Sequence, residues 1–145
     1  MSPVIGIDHL YIAVSDLAHS EAFYDRALVT ALGFRKNRFS LNGDPHIQYF
    51  NRHFGFVIRP AWSEAAHDPY APGLHHFCLR VESIADVEAA ALALKNAGIP
   101  ASPARHHPDY AEDYWAVFFE DPDSIRLEIT NYRKERKARF ENWEE

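Results

Sequence analysis

His9, His76 and Glu128 each stand in a run where apolar and polar residues alternate: "DHLYIAV", "LHHFCLRV" and "IRLEITN". Two imidazoles and one carboxylate on one side of a divalent cation form a facial set that leaves positions open for water or substrate. Such a set suits Fe(II), Mn(II), Zn(II), Ni(II) or Co(II), and affinity order does not choose among them. The three residues are far apart in the chain, so strand geometry has to bring them together. Alternate residues of a strand share a face. In the first run Leu10, Ile12 and Val14 make an apolar row, and Ile7, His9, Tyr11 and Ala13 make the other. In the second, Phe77, Leu79 and Val81 oppose His76, Cys78 and Arg80, which turns His75 away from His76. In the third, Leu127 and Ile129 oppose Arg126, Glu128 and Thr130. A fourth run, "HFGFVIRP", sets Phe54, Phe56 and Ile58 against Gly55, Val57 and Arg59.

The plainer reading of these polar residues is that each is a hydrogen-bonded group in a half-buried sheet. Their placement on matched faces of a repeated unit favours metal. Tyr11 shares the His9 row and could donate a hydrogen bond to a bound oxygen, or simply pack. Arg59 and Arg126 could anchor an anionic substrate, or close an ion pair with a nearby acid. Cys78 reads as a small buried residue rather than a ligand. His46, His53, His67, His106 and His107 show no converging partner set and are assigned to the surface or to supporting positions. The loops "HDPYAPG" and "RHHPDYAEDYW", with Trp62 and Trp115, could clamp an apolar or aromatic ligand, or serve ordinary packing.

The elements that must position these residues repeat. "IDHLYIAVSDLAHSEAFYDRALVTALGF" and "LHHFCLRVESIADVEAAALALKNAGIP" each run from an alternating strand to an amphipathic helix that closes at Gly33 or Gly98. Ser15 or Asp16 can cap the first helix; Ser83, with Asp86 three residues on, can cap the second. Strand-like runs follow in each half. They are "FRKNRFSL", "HIQYFN" and "HFGFVIRP" in the first, and a stretch around "IPASPAR", then "DYWAVFFE" and "IRLEITN", in the second. The class is α+β: two tandem β-α-β-β-β modules whose curved mixed sheets would surround a metal cleft. Residues 1–145 form a single domain, with modules at about 5–60 and 74–131, a linker at 61–73 and a helical tail at 132–145.

The blocks "DHLYIAVSDLAHSEAFYDRAL", "GLHHFCLRV" and "FFEDPDSIRLEI" resemble the vicinal oxygen chelate superfamily, also called the glyoxalase/bleomycin-resistance/dioxygenase family. The resemblance spans residues 5 to 131, and Ser124 stands where the family turn usually has Gly. It implies paired modules around a metal, with ligands at His9, His76 and Glu128. A fourth position falls on Val57 or Arg59, neither of them a usual ligand. The vacancy argues against the proton transfer of family members that fill all four positions. Ring-cleaving dioxygenases use a matching His, His, Glu set, but their Tyr and His signatures are replaced here, by Phe118 and by the stretch from Asp109 to Ala111. Thiol transferases also use two His and a Glu, without an evident phosphonate pattern in this chain.

The expected function is therefore a divalent-metal-dependent enzyme on a small oxygen-chelating substrate, as dioxygenase, lyase, isomerase or thiol transferase. Tyr11 and Arg59 are candidate catalytic contacts. The alternative is a non-catalytic drug- or metabolite-binding protein of the bleomycin-resistance type. The acidic balance, a formal charge of −6, argues against nucleic acid. No apolar run suits a membrane span. A single cysteine excludes an intrachain disulfide and, with no signal-like start, gives a cytoplasmic expectation. Exposed sheet edges make a homodimer a compatible arrangement.

Overall fold

A computed structural model describes residues 1–144; Glu145, the end of the expected tail, lies outside the described residues. The chain divides into two compact units, Met1–Ala66 and His67–Glu145. The boundary falls within the expected linker.

The first unit runs β1 (His9–Val14), α1 (Leu17–Tyr24), a π-helical segment (Asp25–Ala31), β2 (Arg35–Leu41), β3 (Asp44–Phe50) and β4 (Gly55–Pro60). Its sheet has the order β1-β4-β3-β2, with β1 parallel to β4 and the other pairs antiparallel. Of the two possible caps, Asp16 starts α1 by accepting from the backbone N–H of His19 at 3.1 Å. The β2–β3 hairpin turns through Asn42 and Gly43, both at positive φ (52° and 83°), the backbone that a two-residue primed turn demands.

One regular helix to Gly33 was the expectation for this unit. Instead α1 widens at Asp25 into π-helical turns. The buried stripe follows that change: Phe23, Tyr24, Ala27 and Leu28 are buried, while Leu17 and Leu32 are only half-buried. Asp25 is also the anchor of a polar cluster. Its carboxylate accepts from the Tyr49 hydroxyl at 2.8 Å and pairs with Lys36 at 2.9 Å, and Glu21 takes Lys36 at 2.7 Å and Arg38 besides. Burial, followed by Asp25, pushes the Tyr49 phenol above the ordinary tyrosine range.

The second unit repeats the plan: β5 (His76–Val81), α2 (Ile84–Asn96), β6 (Arg105–His106), β7 (Trp115–Glu120) and β8 (Arg126–Asn131), followed by α3 (Lys134–Glu141). Its sheet order is β5-β8-β7-β6, again with the first pair parallel. Ser83 and Asp86 form the expected capping box at the start of α2. The strand expected around "IPASPAR" is reduced to the two residues of β6 and one bridge from Ala101 to Phe119. Pro100 and Pro103 supply no N–H to a ladder, which accounts for the break. Helix α3 has no buried residue, and Phe140 and Trp143 are exposed, so the tail helix is solvated.

On the helix-side rows Ile12, Val14, Ile58, Leu127 and Ile129 are buried and Leu10, Phe77, Leu79 and Val81 half-buried. On the opposite rows His9, Tyr11, His76 and Arg80 are exposed, while Val57, Glu128 and Thr130, on the inner strands β4 and β8, are buried. The Asp121–Ser124 turn places Glu128. Asp121 accepts from the backbone N–H groups of Asp123 and Ile125, both at 2.9 Å. Ser124 has φ +63°, a left-handed conformation that a Cβ disfavours. Ser124→Gly is expected to stabilise the protein by up to about 1 kcal/mol, the relief of strain less glycine's entropy cost. A urea midpoint equal to or below the wild type would contradict that account.

Candidate functional site

Glu128 is central to the second unit's polar face. It lies on β8, between β5 and β7, with Cys78 opposite it on one side and Phe118 on the other. Its side chain is only 6 % exposed, and one carboxylate oxygen stands 3.4 Å from His76 Nε2. Its other oxygen accepts from the Tyr114 hydroxyl. His76 is more open, at 42 % side-chain exposure, so the pair has one enclosed and one accessible member. Its remaining ring nitrogen, Nδ1, meets Nδ1 of His75 at 2.8 Å.

These contacts fit a metal ion. An enclosed carboxylate needs hydrogen-bond donors or a cation to offset its desolvation. Two donor atoms 3.4 Å apart match neighbouring ligands each about 2.1 Å from a common ion at a roughly tetrahedral angle. A ligating imidazole typically has its second nitrogen hydrogen-bonded, as His76 does through His75. His76 and Glu128 would be the holding residues in this unit.

Cys78, expected to be buried, is an exposed free thiol. Local desolvation, then the Glu128 carboxylate, hold it above the usual thiol range, so thiolate chemistry is disfavoured there. Tyr114 is likewise shifted upward, by desolvation first and by Glu128 next. The Tyr114 ring also lies under the Arg133 guanidinium at 4.5 Å and edge-on to Tyr110 at 5.2 Å.

In the first unit, His9 is exposed and its Nδ1 pairs with Asp8 at 2.7 Å. Tyr11 packs edge-on between the rings of His9 (5.5 Å) and His46 (5.6 Å). Arg59 meets the Asp44 carboxylate at 2.5 Å, and the same Asp44 oxygen accepts from Trp62 Nε1 at 2.9 Å. Those two contacts hold the Asp44 carboxyl below its ordinary range, the Trp62 bond first and the Arg59 bond second. Arg59 therefore has the ion pair weighed as its plainer role. Register decides which residue repeats Glu128: Tyr11 faces Val57 as Cys78 faces Glu128. Val57 stands at the position that repeats Glu128.

Among the described residues, no three His, Cys, Asp or Glu side chains come together as a closed ligand set. The structure brings together His76 and Glu128, and places His9 in the other unit. It also joins to this pair two residues outside the expected ligand and contact set, Tyr114 and His75. Tyr114 follows from period two: Tyr114, Ala116 and Phe118 share a face, and Phe118 pairs with Glu128. His75 was set aside for pointing away, yet adjacent rings at a strand's start still touch. His46, assigned to the surface or a supporting position, is buried at 1 % exposure. It is stacked on Phe39 at 4.9 Å, with Nδ1 on the Asp44 carbonyl at 3.0 Å.

The family described as Glyoxalase/Bleomycin resistance protein/Dioxygenase superfamily matches residues 6–129. The chain belongs to this superfamily. No curated protein matches it. Solved structures agree with the superfamily fold. A glyoxylase/bleomycin resistance protein/dioxygenase domain from Frankia sp. EAN1pec is 24% identical, with TM-score 0.69, over 92% of this chain and 94% of that one. A glyoxalase family protein from Enterococcus faecalis is 28% identical, with TM-score 0.64, over 87% and 97%. A lactoylglutathione lyase from Agrobacterium tumefaciens is 19% identical, with TM-score 0.65, over 90% and 96%. As a superfamily member the chain carries two four-stranded mixed sheets built from β-α-β-β-β modules. Among the described residues, no helix is long and apolar enough to cross a membrane.

Proposed function

We propose that this protein is a divalent-metal-dependent enzyme acting on a small substrate that chelates through adjacent oxygens. His76 and Glu128 would hold the ion together with His9, and Tyr11 and Arg59 would contact the substrate. The observation that carries the reading is the enclosed Glu128 carboxylate with His76 Nε2 at 3.4 Å. A bound divalent ion would supply Lewis acidity to a coordinated substrate oxygen.

The chain's own residues divide the remaining work. Glu128 supplies charge, and its position is fixed by Tyr114 on one side and the β5 and β7 neighbours on the others. Val57 offers no proton and no ligand at the repeat position. A proton shuttle using a second metal-side carboxylate is disfavoured for that reason. A set of one carboxylate and two imidazoles suits dioxygenase chemistry better. Arg59 pairs with Asp44 through one terminal nitrogen and donates its Nε–H to the Pro60 carbonyl, so an anionic group would be met by the other terminal nitrogen.

The test is elemental analysis of the purified protein beside His9→Ala and His76→Ala, each checked for folding. About one equivalent of a transition metal is expected in the wild type, with loss in both variants. Metal retained in full by both variants would rule out these ligands. No metal in the wild type after reconstitution with Fe, Mn, Zn, Ni and Co would favour a metabolite- or drug-binding protein instead.

A further inference from the structure

We infer that His75 and Tyr114 are positioning residues that set the metal affinity of the second unit's half-site; this rests on the metal reading above. Each of the two donors in this unit has one dedicated partner behind it. Tyr114 donates its hydroxyl to the Glu128 oxygen that does not face His76. His75 Nδ1 stands 2.8 Å from His76 Nδ1, the nitrogen that does not face Glu128. The two outer contacts therefore leave Nε2 and the inner carboxylate oxygen directed at each other.

A metal held at Nε2 would set the proton arrangement of both rings. For Nε2 of His76 to offer a lone pair, its proton must sit on Nδ1. That N–H then donates to His75 Nδ1, which accepts as the neutral ring with its own proton on Nε2. An acceptor for that N–H fixes the tautomer and raises the basicity of the ligating nitrogen. The Tyr114 hydroxyl cannot compete for the inner oxygen, because it is occupied with the outer one. Both partners are themselves held. The Tyr114 ring lies under Arg133 and against Tyr110, and the His75 ring stands edge-on to Tyr70 at 5.3 Å. Tyr70 in turn accepts from Arg126 at 3.3 Å, on the strand that carries Glu128. The support thus runs from β8 out through the loop before β5 and back to His76.

The experiment is a Co(II) titration of the full-length protein, followed by its visible absorption bands, for wild type, Tyr114→Phe, His75→Ala and His75→Asn. His75 is exposed, and Tyr114→Phe removes one hydroxyl, so folding is expected to survive in all three; thermal melting of the metal-free proteins checks this. Tyr114→Phe and His75→Ala are expected to weaken Co(II) binding by about 10–100-fold and to shift the bands. His75→Asn, whose side-chain oxygen can accept in place of Nδ1, should recover most of the loss. Wild-type affinity and bands in both Tyr114→Phe and His75→Ala would overturn the inference while leaving the metal reading intact. An Asn variant as weak as the Ala variant would remove His75 from it. A wild type that binds no Co(II), nor Zn(II) in competition with a chelator, would bring down the metal reading and this inference together.

Discussion

Replacing Glu128 by Gln is expected to cut metal affinity by more than about 100-fold, beyond the usual effect of an outer partner, while the metal-free protein stays as stable or becomes more so. The two effects have opposite signs for one reason. Glu128 places a carboxylate at 6 % side-chain exposure, across the strand pair from Cys78, with one hydroxyl and one imidazole for company. Desolvating that charge costs the fold, and a neutral amide of the same shape removes the cost. The Gln carbonyl can still accept from Tyr114, and its NH2 can donate to His76 Nε2. Nothing polar is left without a partner. A neutral amide is, however, a far poorer ligand for a divalent ion than a carboxylate. Paired melting curves with and without metal would read both effects. A Gln variant that melts several degrees lower without metal would show that Glu128 is a structural anchor, and would remove the argument that this residue is kept for a cation.

Phe56→Ala is the core substitution expected to cost most, about 3–5 kcal/mol. Phe56 is 1 % exposed on β4, the strand between β1 and β3, and its ring lies 5.0 Å from that of Tyr24. Tyr24 is fully enclosed and also meets Phe23 at 5.0 Å and Tyr49 at 6.0 Å. Removing one ring from this aromatic cluster leaves a cavity that its neighbours cannot fill, since Tyr49 is tied by its hydroxyl to Asp25. Against a typical total of about 5–15 kcal/mol, the loss is a large share of stability. It should appear as a lower urea midpoint at unchanged slope. A cost under about 1 kcal/mol would mean that the cluster collapses around the gap, contrary to the packing described.

How much of this was legible beforehand differs from element to element. The β1 and β5 faces were, because strict alternation fixes which side a residue takes. The capping box at Ser83 was legible for a similar reason: it is local chemistry that the backbone must satisfy. The π-helical turns after Tyr24 were not, since the same apolar spacing serves either helix and the choice depends on what Asp25 and Tyr49 bond to across the sheet. The shortened β6 was overestimated, though Pro100 and Pro103 carried the signal. That His46 is buried and not on the surface was not legible, because a histidine's burial depends on the rings that close over it, and Phe39 stacks there through the β2–β3 register.

By itself, then, the sequence determined the repeat, the module plan and the rows on which His9, His76 and Glu128 lie, because periodicity and capping are properties of neighbours along the chain. The tertiary structure decided which atoms meet. It paired Glu128 with His76 and Tyr114, placed His75 behind His76, tied Arg59 to Asp44, and set Val57 at the repeat position of Glu128 through the register of β1 against β4. Those are contacts between groups that are not chain neighbours, fourteen residues apart in the case of Tyr114 and Glu128. They follow from strand register and rotamer, which no run of neighbouring residues encodes alone.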